Sequence, residues 1–393
     1  YANYCADIAA RSAVDGLTYP ADALPVHVTL PLRPNNKAFW TQASAALLQG
    51  DPAIALWEQL HCGDAWGLAI ARAYGQPKAR HLLHHLRWKN KTDTGGDQWE
   101  GAVIYSARSE DGKGRYYVNT PGGQLLSKIG RAAVFGVDHY EVDMQGAFYE
   151  LFRTLLCGLV LPTDAAPPPR LPTLPEVRYM LLTHLSTTPY ARLYPDFAKR
   201  LPSIALNVPV AQTLHFIRRH NFFIPEPVRL WLHQVEQGKA YVVPELVRKG
   251  FGRETHRLSD RNTFFYHMEA LESAYMRQLL GHLLAAWTPR SIVWIHDGFL
   301  VSPGIPEEVL RWANCTAAQS LQLSPVFLQV SLMADKYAEI AERCALPGNP
   351  QSPATSSHPR HQLDHPMERA IAVDLQEVER VEFRTSRRRM RNR

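Results

Sequence analysis

The chain has 393 residues, 46% hydrophobic and 10% aromatic, which is enough to bury a sizeable core in two or three structural units. Charged residues make up only 20%, which excludes a chain disordered throughout, and the net charge of +6 favours an anionic partner, nucleic acid first. Cys5, Cys62, Cys157, Cys315 and Cys344 are scattered without C-x-x-C or C-x-H spacing, which argues against a disulfide framework and a structural zinc and for an intracellular, reducing compartment.

Residues 1–35 are rich in Pro and Ala and read as an irregular lead-in. No secretory signal is visible there, and the first residue is not Met, so the start is expected to be trimmed. Apolar stretches are interrupted by Arg, Pro or Gly well short of about 20 residues, so no membrane span is expected. From Lys37 to Leu86 the spacing predicts helices, F-W-T-Q-A-S-A-A-L-L, I-A-L-W-E-Q-L and W-G-L-A-I-A-R-A-Y, with G-D and G-Q-P as breaks. The third runs on into a basic, His-rich segment, Lys78 to Lys91. Residues 92–120 turn to Gly, Asp and Thr around short strands at Ala102–Tyr105 and Arg115–Val118. A strand at Tyr140–Met144 leads into a helix at Ala147–Leu156, and the Pro-rich stretch 162–175 is a loop. Helices are predicted at about 175–185 and 209–219, separated by K-R-L-P-S-I-A-L-N, where Pro202 is expected to break a helix. Further helices cover 226–238 and 261–286, followed by a hairpin at 291–302, an amphipathic helix at 305–320 and a strand at Val326–Leu332. After about 346 the chain turns to Pro, Ser, Gln and His and ends in arginines, a tail expected to be mostly disordered.

The segment Ser291 to Val301, S-I-V-W-I-H-D-G-F-L-V, says most about chemistry. An apolar run climbs to His296-Asp297, Gly298 breaks it, and a second apolar run leaves. That is the pattern of a hairpin carrying one carboxylate at its tip. Asp143, in Y-E-V-D-M, ends a second short strand. Neighbouring strands of one sheet would bring the two acids together, and paired carboxylates repel unless a cation lies between them. Two hard divalent ions about 4 Å apart clamp the attacking and leaving oxygens of phosphoryl transfer.

Four segments follow in order: G-K-G-R-Y-Y-V-N-T-P-G-G-Q-L-L-S-K-I-G-R ending at Arg131, V-D-M-Q-G-A-F-Y-E-L-F-R ending at Arg153, D-R-N-T-F-F-Y-H-M-E ending at Glu269, and I-H-D-G-F-L-V-S-P-G-I-P-E-E ending at Glu308. This succession resembles the palm of family A (DNA polymerase I-like) DNA polymerases. There a T-G-R strand precedes P-x-L-Q and an Arg, then motif A (D-Y-S-Q-x-E-L-R), an R-x-x-x-N-x-x-x-Q helix and motif C (V-H-D-E-L-V). Beyond motif C the family has P-x-E, an amphipathic helix and a V-P-L-x-V-x-V strand, and here Ser324-Pro-Val-Phe-Leu-Gln-Val330 stands at a similar distance. The resemblance covers roughly 110–340.

It implies an α+β fold of polymerase right-hand architecture, with an antiparallel-sheet palm and helical thumb and fingers regions. The thumb-like region would be 36–100, the palm 101–160 and 256–345, the fingers-like insertion 161–255 and the basic tail 346–393. The implied activity is a template-directed DNA polymerase, a nucleotidyltransferase extending primed nucleic acid with dNTPs and lacking a proofreading domain. Small divergent polymerases of this type belong to mobile elements and viruses; the nucleus or such a replication site is the implied location.

The resemblance also assigns roles. Asp143 and Asp297 would hold two magnesium ions, with manganese as a substitute, and the backbone carbonyl of Met144 would be a further ligand. His296 would stand near the primer terminus, and Arg115, Gln124 and Arg131 would face the template–primer. Arg261 and Glu269 share the face of the R…N…Q helix, with Phe265 and Glu269 where the family has Asn and Gln. Phe148 replaces the motif A Glu; a ring there looks more like reverse transcriptases and family B polymerases and would block a 2′-hydroxyl, while Glu150 is the displaced counterpart of that Glu. For the triphosphate, Lys199 and Arg200 stand nearest the expected distance, with Arg218-Arg219-His220 and Arg248-Lys249-Gly-Phe-Gly-Arg253 as rivals. The Lys78–Lys91 segment fits a grip on the duplex backbone, and the Arg-rich tail fits added nucleic-acid affinity or a nuclear signal. Gly298 stands where the family has a second acid. Two alternatives stay open: a single-subunit RNA polymerase, whose motif C reads H-D-S, and a degenerate palm that only binds nucleic acid.

Overall fold

The computed structural model describes residues 37–61, 98–107, 114–118, 122–126, 128–135, 138–159, 166–185, 194–219, 225–249 and 260–335. The Lys78–Lys91 segment, His220, the stretch around Arg253 and the Arg-rich tail lie outside the described residues. Helix α1 (Lys37–Gln49) precedes β1 (Ala53–His61), β2 (Gln98–Ala107) and β3 (Tyr116–Val118). A 3-10 turn at Gly123–Leu125 and α2 (Lys128–Phe135) lead to β4 (Tyr140–Met144) and α3 (Ala147–Cys157). Helices α4 (Leu174–Leu185), α5 (Tyr194–Asn207), α6 (Val210–Arg219), α7 (Glu226–Arg248) and α8 (Asp260–Ala286) follow, then β5 (Ser291–Ile295), β6 (Gly298–Ser302), α9 (Glu307–Ser320) and β7 (Leu328–Leu332). The fold is mixed α+β, and the described residues form two antiparallel sheets, ordered β1-β2-β3 and β5-β6-β4-β7.

One segment departs from its predicted type. Ile54–Leu60, read from its apolar spacing as a helix, is strand β1, paired along its length with β2. Its alternation explains the choice only in part, because Glu58 is as buried as Leu56. The partner decides it: Tyr105 of β2 donates its hydroxyl to Glu58 Oε1 at 2.5 Å, and the Gly123 N–H donates to Glu58 Oε2 at 2.8 Å. A buried carboxylate that would cost several kcal/mol unpaired meets these donors with β1 placed beside β2 and the 3-10 turn.

Two helices also run past their expected ends. Pro202 lies inside α5, which continues to Asn207 without the hydrogen bond that Pro202 cannot give to the Ala198 carbonyl. Burial of Leu201, Ala205 and Leu206 holds that stretch helical. Helix α7 runs past both Gly238 and Pro244 to Arg248. Gly238 is a close-packing position, since a Cβ there would stand 2.9 Å from the Phe152 ring of α3.

The sheets meet where β1 lies along β5. The Gln59 N–H donates to Ser291 Oγ at 2.9 Å, the Trp294 N–H donates to the Tyr105 hydroxyl at 3.2 Å, and Tyr116 stacks on Trp294 at 4.8 Å. Strands β5 and β6 are therefore covered on both faces, as their unbroken apolar runs require. Behind them α8 is apolar around most of its circumference and packs against α1, α3 and α9. A polar chain fastens the base of the β5–β6 hairpin: His139 lies 2.8 Å from Asp138 and 3.1 Å from Ser291, and Ser302 donates to Asp138 at 2.8 Å. Ser291 and His139 have no exposed surface, so this Ser–His–Asp chain is a fastening and offers no nucleophile to a substrate.

Candidate active site

The hairpin tip is a two-residue loop, His296-Asp297, closed by the Ile295–Gly298 pair. His296 has φ 46, a conformation that primed hairpin turns demand of a loop residue and that glycine adopts with less strain. It is held there by the Trp294 indole, whose N–H donates to the His296 carbonyl at 3.0 Å, and by the Tyr117 ring 5.4 Å away. Strained backbone of this kind persists where its surroundings over-determine it, often at a functional position.

Strand β4 pairs with β6 so that Asp143 faces Gly298, and the Met144 N–H donates to the Asp297 carbonyl at 3.0 Å. The two acids, distant in sequence, are thus neighbours across one strand pairing. Gly298 is the reason they can be. A Cβ at 298 would lie 2.6 Å from the Val142 carbonyl oxygen and 3.2 Å from Asp143 Cα. The residue that reads as a missing acid is a steric requirement of the close approach of β4 and β6.

Asp143 Oδ2 accepts the Gln145 side-chain N–H at 2.8 Å. Burial pushes the Asp297 carboxyl above the usual carboxylate range, with Arg115 and then Arg131 pulling it back. Arg131, on α2, donates to the Leu126 carbonyl at 3.0 Å; burial lowers its pKa and Asp297 opposes that. Arg115 is held more firmly. Its Nε and Nη2 donate to the two oxygens of Glu272 at 2.9 and 3.1 Å, Glu269 lies 3.5 Å from Nε, and its guanidinium carbon stands 5.4 Å from the Phe148 ring centre. Burial opposes the Arg115 charge, but Glu272 and then Glu269 outweigh it and hold its pKa above the ordinary value. Burial raises Glu272 to about 7, against the pull of Arg115, and raises Glu269 as well. Phe148 meets Phe265 edge-to-face, with ring centres 5.3 Å apart.

The structure therefore gathers Asp143, Met144, Asp297, His296, Arg115, Arg131, Glu269 and Phe148 around one strand pairing. Two other sequence candidates are committed elsewhere. Gln124 braces the hairpin from below, accepting the Val118 N–H at 2.9 Å and donating to the Tyr116 and Trp294 carbonyls. Glu150 is 4% exposed, and its oxygens take the Leu174 N–H at 2.7 Å and Arg153 at 3.0 Å, joining α3 to the start of α4. Lys199 and Arg200 stand on α5 and Arg261 in the first turn of α8. Glu272 is the residue that sequence reading missed. Its signal was faint: a carboxylate three residues after Glu269 in an otherwise apolar stretch, A-L-E-S-A-Y, on the same helical face.

Among the described residues no group of three or more His, Cys, Asp or Glu side chains is placed to hold a metal ion, and no helix is long and apolar enough to cross a membrane. The donors at the acid pair are two carboxylates and backbone carbonyls, hard oxygen ligands of the kind magnesium takes while keeping water and substrate oxygens in its shell. No protein-family model and no curated protein matches the chain. Among solved structures it is similar to the POL domain of Pol1 from M. smegmatis in complex with DNA primer-template and dNTP, at 13% identity and a TM-score of 0.40, over 66% of this chain and 52% of that one. The chain spans about half the length of that structure.

Proposed function

We propose that the chain is a template-directed DNA polymerase that extends a primed strand with dNTPs, the β5-β6-β4-β7 sheet and α8 forming its palm, with β1 of the expected thumb segment packed as a strand against β5. The observation that supports this reading best is the β4–β6 pairing, which sets Asp143 against Gly298 and ties Met144 to the Asp297 backbone. The motif order described from the sequence supports it independently.

In this reading Asp143, Asp297 and the Met144 carbonyl hold the divalent ions, magnesium with manganese as a substitute. Bound there, such ions supply Lewis-acid activation of the primer hydroxyl and neutralise the departing phosphates. The chain's own residues do the positioning. The fixed spacing of β4 and β6 sets the distance between the carboxylates. Phe148, backed by Phe265, presents an apolar edge to the sugar of the incoming nucleotide. Arg115 and Arg131 receive phosphates of the primed duplex, and His296 stands at the hairpin tip beside the terminus. The 3′-oxygen forms a bond to the α-phosphorus, the bond to pyrophosphate breaks, and the hydroxyl proton passes to solvent.

The test is extension of a primed template in magnesium with dNTPs and, separately, NTPs. Extension with dNTPs is expected. Preference for NTPs would replace the DNA reading with an RNA polymerase, and binding without extension would leave a nucleic-acid-binding module.

A further inference from the structure

Glu272, on α8, has no exposed surface to speak of, at 1% for its side chain, and lies near enough to Asp297 to feel its charge. It grips one edge of the Arg115 guanidinium, the Nε and one Nη2 hydrogen. The remaining donors of that guanidinium, on Nη1 and Nη2, make no hydrogen bond among the described residues, and the side chain is 24% exposed. Its guanidinium carbon lies over the Phe148 ring, and its charge is felt by Asp297. Held by Glu272 on one edge, the guanidinium keeps its remaining N–H groups for another partner, close enough to Asp297 for its charge to act there.

We infer that Glu272 is a positioning residue: it locks Arg115 so that its free N–H edge receives the backbone of the nucleic-acid strand whose end lies at Asp143 and Asp297. This rests on the polymerase reading for the identity of the ligand. A bidentate fork fixes orientation as well as charge. Lys at 115 would keep the charge and lose both fixed hydrogen bonds. Glu269, 3.5 Å from Nε, is the minor partner and cannot replace the fork.

The test is binding of a primed DNA duplex without divalent ions, followed by fluorescence anisotropy, for the wild type, Glu272→Gln, Arg115→Gln, Arg115→Lys and the Arg115→Gln/Glu272→Gln double variant. Melting temperatures are measured alongside. Each single variant is expected to weaken binding about tenfold, and Glu272→Gln is expected to add less than about twofold once Arg115 is already Gln. Full additivity, or wild-type affinity in Arg115→Lys, would overturn the inference. Arg115→Lys also serves if Glu272→Gln fails to fold. A wild type that binds but extends nothing would sink the proposed activity and leave this cycle readable; one that binds no primed duplex would sink both.

Discussion

Replacing Gly298 with Ala tests the claim that this glycine exists to let β4 and β6 approach. The added Cβ would lie 2.6 Å from the Val142 carbonyl oxygen, against about 3.4 Å for an ordinary contact, and 3.2 Å from Asp143 Cα. Both neighbours are backbone atoms of an interior strand, flanked by β6 and β7, so neither can turn aside as a side-chain end would. The strands must part by roughly half an ångström, at a cost of about 1–3 kcal/mol for overpacking. For a chain of this size that lowers Tm by about 5 °C. The same parting stretches the Met144 N–H to Asp297 carbonyl bond and misplaces one carboxylate against the other; at about 100-fold per ångström of misplacement, primer extension should slow about tenfold. Thermal melts and single-turnover extension measure the two effects. Gly158→Ala is the control, because a Cβ there meets nothing closer than 3.5 Å. A Gly298→Ala protein that melts and extends like the wild type would refute the reasoning, and Gly298→Glu should restore nothing although it supplies the acid.

The Glu272 carboxyl, raised by burial from an ordinary 4.5 to about 7, binds its proton more tightly in the folded state than in the unfolded chain. Its contribution is therefore fully present below about pH 4.5 and is lost as pH rises through about 7, on the order of 3 kcal/mol in all. Urea unfolding across that window should show this downward trend in the wild type relative to Glu272→Gln, and parallel curves would contradict it. Phe148→Ala should cut discrimination of dNTP over NTP by roughly 100-fold, read as the ratio of kcat/KM values; unchanged discrimination would remove Phe148 from the sugar. Tyr105→Phe removes the buried donor to Glu58 and should cost about 2–4 kcal/mol in chemical denaturation, whereas a loss below about 0.5 kcal/mol would show that the Glu58 charge is satisfied without it.

The parts of the site legible in the sequence are those whose cause is local. An apolar run, a polar pair, a glycine and a second apolar run specify a two-residue hairpin whatever surrounds them, and Y-E-V-D-M followed by a helical pattern placed β4 and α3 within a residue of their observed ends. What was not legible depends on partners distant in sequence. Ile54–Leu60 is a strand because Tyr105 and Gly123 satisfy Glu58, and none of those contacts leaves a trace in the spacing of the segment. Gly298 looked like a loss because a one-letter comparison carries no distance to Val142. The contacts of Glu150 are equally distant in origin: its oxygens take the Leu174 N–H and Arg153, and the Leu174 bond leaves no mark in the sequence around Glu150.

Asp143 on β4 and Asp297 at the hairpin tip are the two residues proposed to carry nucleotidyl transfer. Single-turnover extension of a primed template by Asp297→Ala, with duplex affinity measured on the same protein, tests that proposal most directly. The rate is expected to fall at least about 10³-fold with binding of the duplex within about twofold of the wild type. A variant that extends the primer at a rate within about tenfold of the wild type would contradict it.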